Sequence, residues 1–513
     1  MNHSTEQHNH QFVFDGKLKL ITGGLALVGL VCLLATYFLD GDYSHSIFWS
    51  NLLHNAVFFT GVSFAALFFI CVHTIGWGGW HVVFKRVPEA MMMFLPVGAV
   101  LIGIVGVAVM LDAKGTDFLY MWSDTKLLEH DQLLQQKAPF LNPMVYLLTI
   151  AVVLIWAFFA AVIRKLSTTQ DKDANLGETN LYKMRFWAAI FLPIAGFSSA
   201  FAIWQWVMSV DAHWYSTLFA WYSSVSLWVS GLSLILLITA FLQSRNLLPG
   251  FTKEHMHDMG KYIFGFSVFW TYLWFSQFML IWYANNGEET QYFFIRFEQF
   301  KPLFFINLLI NFVIPFFTLM MNSSKRTLGT VGFIAGLVCF GHWVDYFLML
   351  KPGVWHNYEH TLHEHHDAHH DHLHYSVGES SHSPIGSLNN NSNGEGKATL
   401  TYYTQPEPND STKTDSTATA SDSLATDTTQ TVAPAPADTK GGDKDHTHAA
   451  DAHGHDHAHA HFVMGIHMPG ILELGTMLGF LGLFLFVTFT FLSKASLYPK
   501  NDPFLGESEH HHT

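Results

Sequence analysis

The chain has 513 residues, half of them hydrophobic and only 13% charged, with a formal net charge of −14. An ordinary soluble protein carries about 25% charged residues, so this composition excludes a water-soluble globule of such length, and no nucleic-acid partner is expected. Aromatic residues make up 15%, with 46 Phe and 16 Trp, which suits lipid-facing and interfacial surfaces.

A hydrocarbon core about 30 Å thick is crossed by roughly 20 apolar residues. By that measure the chain holds spans at 18–39, 47–75, 88–111, 142–163, 186–210, 215–243, 259–285, 298–321, 327–350 and 471–493. The expected fold class is all-α: a polytopic integral membrane protein with ten transmembrane helices. The first span has no small-residue cleavage site and reads as a retained helix rather than a signal peptide. Its Cys32, with Cys71 and Cys339, sits in an apolar run; the three form no CxxC motif and read as small buried hydrophobes.

Most of the 26 Lys and Arg, among them Lys85, Arg86, Arg164, Lys165, Arg185, Arg245, Lys253, Lys325, Arg326 and Lys494, fall on one side of these spans. The positive-inside rule makes that side cytoplasmic. The resulting organisation is a cytoplasmic segment 1–17, a nine-helix membrane domain 18–350, an external insert 351–470, the tenth helix 471–493 and a cytoplasmic tail 494–513. The stretch "DAHWYSTLFAWY" is then a tight outer turn between spans five and six, with Asp211 and His213 interfacial and solvated. Asp211 is also placed as a mouth to any deeper site.

The insert is edged by "HNYEHTLHEHHDAHHDHLHY" and "HTHAADAHGHDHAHAH", which hold about half of the 33 His. Its middle, about 380–440, is polar with almost nothing apolar and reads as a disordered tether. Many interchangeable His beside flexible sequence fit adventitious metal binding or a plain solvated loop, not a defined metal centre. His510, His511 and His512 read as a solvated tail.

Ionisable and amide side chains within spans are costly, and they mark either function or helix packing. At about 1.5 Å rise per residue, His54, Gln205, Gln277 and His342 all fall roughly 10 Å below the outer end of their spans. Asp345 shares a helical face with His342, and Asn307 and Asn311 bracket the same depth. Two readings fit this layer: a proton path, since a buried His beside a carboxylate exchanges protons, or hydrogen-bonded packing. Asn311 with Pro315 reads as a kink with its freed carbonyl satisfied by a neighbour.

Glu89 beside Pro88 reads as a helix N-terminus, and Glu288, Glu289, Arg296 and Glu298 as a charged membrane edge. Glu473 offers a weaker route from outside. No Walker loop is present, and His73 has no intramembrane partner, so the paired-His pattern of a two-haem cytochrome b is missing.

Four runs, "WQWVMSVDAHWYSTLFAWY", "DMGKYIFGFSVFWTYLWFSQFMLIWYANNGEETQYF", "NLLINFVIPF" and "GHWVDYFLMLKP", resemble the ActF family of membrane subunits in bacterial alternative complex III, a quinol-oxidising respiratory complex. The similarity covers about 18–350 and the last span; the His-rich insert lies outside it. The family is of the NrfD and polysulfide-reductase type, which implies two four-helix bundles, spans two to five and six to nine. The resemblance further implies a multi-pass subunit of the bacterial inner membrane with both termini cytoplasmic and the insert periplasmic. It implies no redox cofactor bound by this chain; iron–sulfur clusters and c-type haems lie on partner subunits, beside a sister NrfD-like membrane subunit. Menaquinol or ubiquinol supplies electrons to cytochrome c or a terminal oxidase. On that reading His342, Asp345, His54, Gln205, Gln277 and Asp211 line a proton half-channel, and His54, Gln277 and Asn307 are quinone-associated. The alternatives are a stand-alone secondary transporter and a purely structural membrane anchor.

Overall fold

The computed structural model describes residues 11–40, 45–172, 177–248, 250–377 and 468–512. Among the described residues all regular structure is helical. The chain divides into two units, Met1–Leu373 with Val463–Thr513, and His374–Phe462; the second lies almost wholly outside the described residues. The middle of the insert and its second His run also fall outside them.

The long helices are α1 Gly16–Leu39, α2 Ser46–Ile75, α3 Val82–Met110, α4 Pro143–Gln170, α5 Glu178–Val210, α6 Thr217–Ser244, α7 Lys253–Ala284, α8 Gly287–Glu298, α9 Lys301–Leu319, α10 Leu328–Val377 and α11 Ile471–Leu492. All but α8 are long and apolar enough to cross a membrane, at the ten places expected. Several outrun their apolar stretch at the end that carries the basic residues, as with α4 to Gln170 and α7 from Lys253. An apolar run measures hydrocarbon thickness, not helix length, and a helix continues through polar residues once its ladder is started.

Local chemistry sets the ends. Asp15 accepts from Leu18 N–H at 2.8 Å before α1, and Asn142 accepts from Val145 N–H at 3.0 Å with Pro143 in the first turn of α4. These are side-chain caps on otherwise orphaned donors. Asn285 takes a left-handed conformation, φ 47°, and stops α7.

Two expectations are corrected. Span nine does not end at 350 ahead of the insert: α10 runs through Pro352 to Val377, so the start of the insert is helical. The segment 287–298 is not an edge loop but the amphipathic helix α8.

Packing places α2 against α3, α5 and α6, α3 against α4, and α4 against α5; α6 packs on α7, and α7 on α9. α1 and α11 pair with each other over their length. Their backbones touch at Gly29 and Gly479, where a Cβ on Gly29 would sit 2.1 Å from Gly479 Cα. α2, α6 and α10 are the most deeply buried helices, which makes their polar residues the ones cut off from solvent. The terminal tail folds back onto the end where α3, α4 and α7 carry their basic residues. Ser508 Oγ donates to Trp80 O at 2.7 Å, Asn501 Nδ2 donates to Gln170 O at 3.0 Å, and His511 pairs with Asp258 at 2.6 Å. His511 is therefore not a solvated residue, whereas His510 and His512 are exposed.

Candidate functional site

Asp345 stands one helical turn after His342 on α10, and both are fully buried. Four neutral donors from three other helices meet its carboxylate. Tyr222 and Ser226, four residues apart on one face of α6, donate through their hydroxyls, Ser226 at 2.8 Å to Oδ2. Trp270 Nε1 of α7 donates to Oδ2 at 3.0 Å, and Asn307 Nδ2 of α9 to Oδ1 at 2.8 Å. Both oxygens are thus saturated by N–H and O–H groups, the arrangement that matches a carboxylate. His342 Nδ1 lies 3.0 Å from Ser226 Oγ and 4.0 Å from Asp345 Oδ2, so the hydroxyl bridges acid and imidazole.

Asn307 is oriented by its own helix. Pro315 cannot continue the α ladder, and the turn ahead of it, Leu309–Val313, is a π-turn closed by Ile314 N–H to Leu309 O. That wide turn brings Asn311 Nδ2 to Asn307 Oδ1 at 2.6 Å. A residue larger than Gly at 341 would have to displace this amide, because its Cβ would stand 2.2 Å from Asn311 Oδ1. The expected kink is therefore a π-turn, a feature common at functional sites.

Beyond Asp345 lies a small cleft whose lining includes Tyr222, Gln277, Tyr292, Arg296, Asn307 and Asp345. Gln277 Oε1 is buried there without a hydrogen-bond partner. Arg296 closes the cleft towards the 211–216 turn. It pairs with Asp211 at 3.0 Å, donates to Leu348 O and Met349 O at 3.0 Å each and to Tyr292 O at 2.7 Å, and lies over the Tyr292 ring at 3.3 Å. The charged-edge reading of Arg296 is corrected: the residue is 2% exposed. Asp211 is likewise not solvated but held against that guanidinium, while His213 is exposed and paired with Asp131.

The residues expected to share a layer thus separate. His342, Asp345, Asn307 and Gln277 come together, and Asp211 joins through Arg296. His54 does not: its Nε2 bonds Trp343 O at 3.0 Å and its ring stacks on Trp343 at 4.8 Å, on a neighbouring face of α10. Gln205 Nε2 donates to Phe140 O at 2.8 Å and takes no part. Equal depth says nothing of which way a side chain points around its helix. Tyr222, Ser226 and Trp270 are not singled out by the sequence reading, and Arg296 is read there only as part of a charged edge. A signal for the first two exists, in hydroxyl residues four apart on a helix that carries several buried hydroxyls, Ser223, Ser230, Ser233 and Thr239 besides.

A second polar cluster lies at the other end. Arg86 pairs with Glu89 at 2.6 Å and with Asp171, and donates to Ser167 Oγ at 2.8 Å; Lys85 pairs with Asp502. Glu89 is fully buried, so it balances a buried guanidinium besides sitting in a first helical turn. His73 bonds Phe69 O at 2.8 Å, and its ring lies 4.9 Å from that of His81. Among the described residues no group of three or more His, Cys, Asp or Glu is placed to hold a metal ion.

The class that fold and site define is an all-helical chain, over its described residues, with ten membrane-length helices and a buried carboxylate–hydroxyl–imidazole chain behind an ion pair. No family model matches the sequence, and no curated protein matches it.

Proposed function

We propose that the chain is a membrane subunit of a quinol:acceptor oxidoreductase of the alternative complex III type, and that its Asp345–Ser226–His342 centre conducts protons. The four sequence runs that resemble the ActF family support the assignment. Two four-helix bundles, α2 to α5 and α6, α7, α9 and α10, fit the packing of α2, α3, α4 and α5 in a closed sequence of neighbours. The second bundle fits the hydrogen bonds that tie α10 to α6, α7 and α9. Membrane embedding is supported by large apolar side chains on the outside of the helices, such as Phe197 at 85% and Leu20 at 76% exposed, beyond what a soluble monomer shows.

On this reading the chain lies in the bacterial inner membrane with both termini cytoplasmic and the insert periplasmic. Iron–sulfur and c-type haem subunits and the sister NrfD-like membrane subunit are its partners, and the redox groups are theirs. Quinol is oxidised beside this chain, and cytochrome c or a terminal oxidase accepts the electrons. The observation that carries the proton role is the buried Asp345. Four donors from three helices hold an ionisable group in an apolar interior, which pure packing does not require and which costs roughly several kcal/mol to desolvate. Of the three residues proposed as quinone-associated, Gln277 and Asn307 line the cleft and are proposed here, and His54 does not line it.

Asp345→Asn keeps the size and removes the titratable group. In the purified complex it should stop proton release coupled to quinol oxidation; undiminished oxidation and release would remove the proton role. Isolation of the chain without haem or iron would favour a stand-alone transporter.

A further inference from the structure

We propose that Ser226 is the relay through which His342 and Asp345 exchange a proton; the proposal rests on the proton-conducting reading above. Direct transfer is closed, because His342 Nδ1 and Asp345 Oδ2 are 4.0 Å apart, beyond hydrogen-bond reach. Ser226 Oγ lies 2.8 Å from one and 3.0 Å from the other and owns a single hydrogen. Asp345 as a carboxylate has nothing to donate, so that hydrogen points at Oδ2. The Ser226 oxygen is then the acceptor for a hydrogen on His342 Nδ1, and the network assigns the Nδ1–H tautomer.

His342 Nε2 is in consequence the ring's basic nitrogen. It is buried and has no hydrogen-bond partner, whereas every other polar atom in the trio is engaged. A proton arriving at Nε2 makes the imidazolium. The Nδ1–H bond then breaks as Ser226 Oγ takes that proton, and Ser226 gives its own to Asp345 Oδ2. Imidazolium and carboxylate become neutral imidazole and carboxylic acid, with no charge created. The Ser226 hydroxyl afterwards donates to the bare Nδ1. Trp270, held at 3.0 Å from Oδ2 and with its ring 5.3 Å from that of His342, is a positioning residue that keeps both groups on Ser226.

The test uses the complete complex in proteoliposomes, with quinol oxidation and proton release followed together. Ser226→Ala should slow proton release on the order of a hundredfold, the scale of a lost proton-transfer group, and Ser226→Thr, which keeps a hydroxyl on Cβ, should restore most of it. Ser226→Cys, close in size, serves if the alanine variant does not assemble. Release unchanged in Ser226→Ala while Asp345→Asn abolishes it overturns the relay and leaves the proton role standing. Equal loss in Ser226→Ala and Ser226→Thr overturns it too, because packing alone then explains both. An Asp345→Asn complex that releases protons normally removes the reading and the relay together.

Discussion

Pro352 has no N–H to give the carbonyl of Leu348, four residues before it, and its ring crowds the same turn of α10. The helix continues nonetheless, because Arg296 of α8 reaches in and donates to the carbonyls of Leu348 and Met349. Nη2, which donates to Met349 O, also pairs with Asp211, while Nη1 donates to Tyr292 O; the side chains of the ion pair are 3% and 10% exposed. Removing one partner of such a pair leaves the other as an uncompensated charge, a loss of about 3–5 kcal/mol. Arg296→Met should therefore lower the thermal midpoint in detergent by more than Arg296→Lys, which keeps the charge but not the planar fork; equal midpoints for the two would show that the charge contributes nothing there. In the sequence Arg296 is a lone Arg between Glu residues at a span edge. The proline that calls for it lies in another helix, and only the fold brings the two into contact.

α1 and α11 come from opposite ends of the described chain and meet through Gly29 and Gly479. Close backbone approach between helices is favoured in an apolar medium, where no hydrophobic force drives association and packing must supply it. A side chain at either position forces the helices apart, at about 1–3 kcal/mol or more for overpacking. Gly479→Leu should expose the α1–α11 seam to limited proteolysis without disturbing the Asp345 site, since neither helix contributes to it; cleavage at the wild-type rate would refute the seam. Elements are also what the sequence states most clearly, because a run of about 20 apolar residues carries its own length requirement. Helix ends are less legible, and so is α8, whose polar face hides it among loop residues.

Across the molecule, charged side chains gather at the Asp345 centre, at the Arg86–Glu89 cluster and in the solvent-facing loops. In the loops, Asp131 is pushed up by partial burial, but hydrogen bonds from His213 and from the Leu134 and Leu133 N–H groups outweigh this and leave it below its ordinary value. A carboxylate whose value is depressed in the fold contributes stability at neutral pH that is lost as pH falls through that value. Hydrogen exchange in 125–137 and 211–216 should therefore rise on acidification below the usual carboxylate range, and Asp131→Asn should show the faster exchange already at pH 7. A loop whose exchange is the same at both pH values and in the variant would contradict this.

Composition and apolar run length by themselves determined the number of membrane-length helices, their places and the all-helical class, since these depend only on how much polar backbone and side chain an apolar medium tolerates. Sequence also pointed to His342 and Asp345 as one pair, because three residues along a helix always share a face. What the tertiary structure alone decided is which of the equally deep residues meet. His54 and Gln205 turn to other partners, while Tyr222 and Ser226 arrive from α6, Trp270 from α7 and Arg296 from α8. A residue's depth is fixed by its position along one helix, but its neighbours are fixed by the rotation and pairing of several, and no local pattern encodes that.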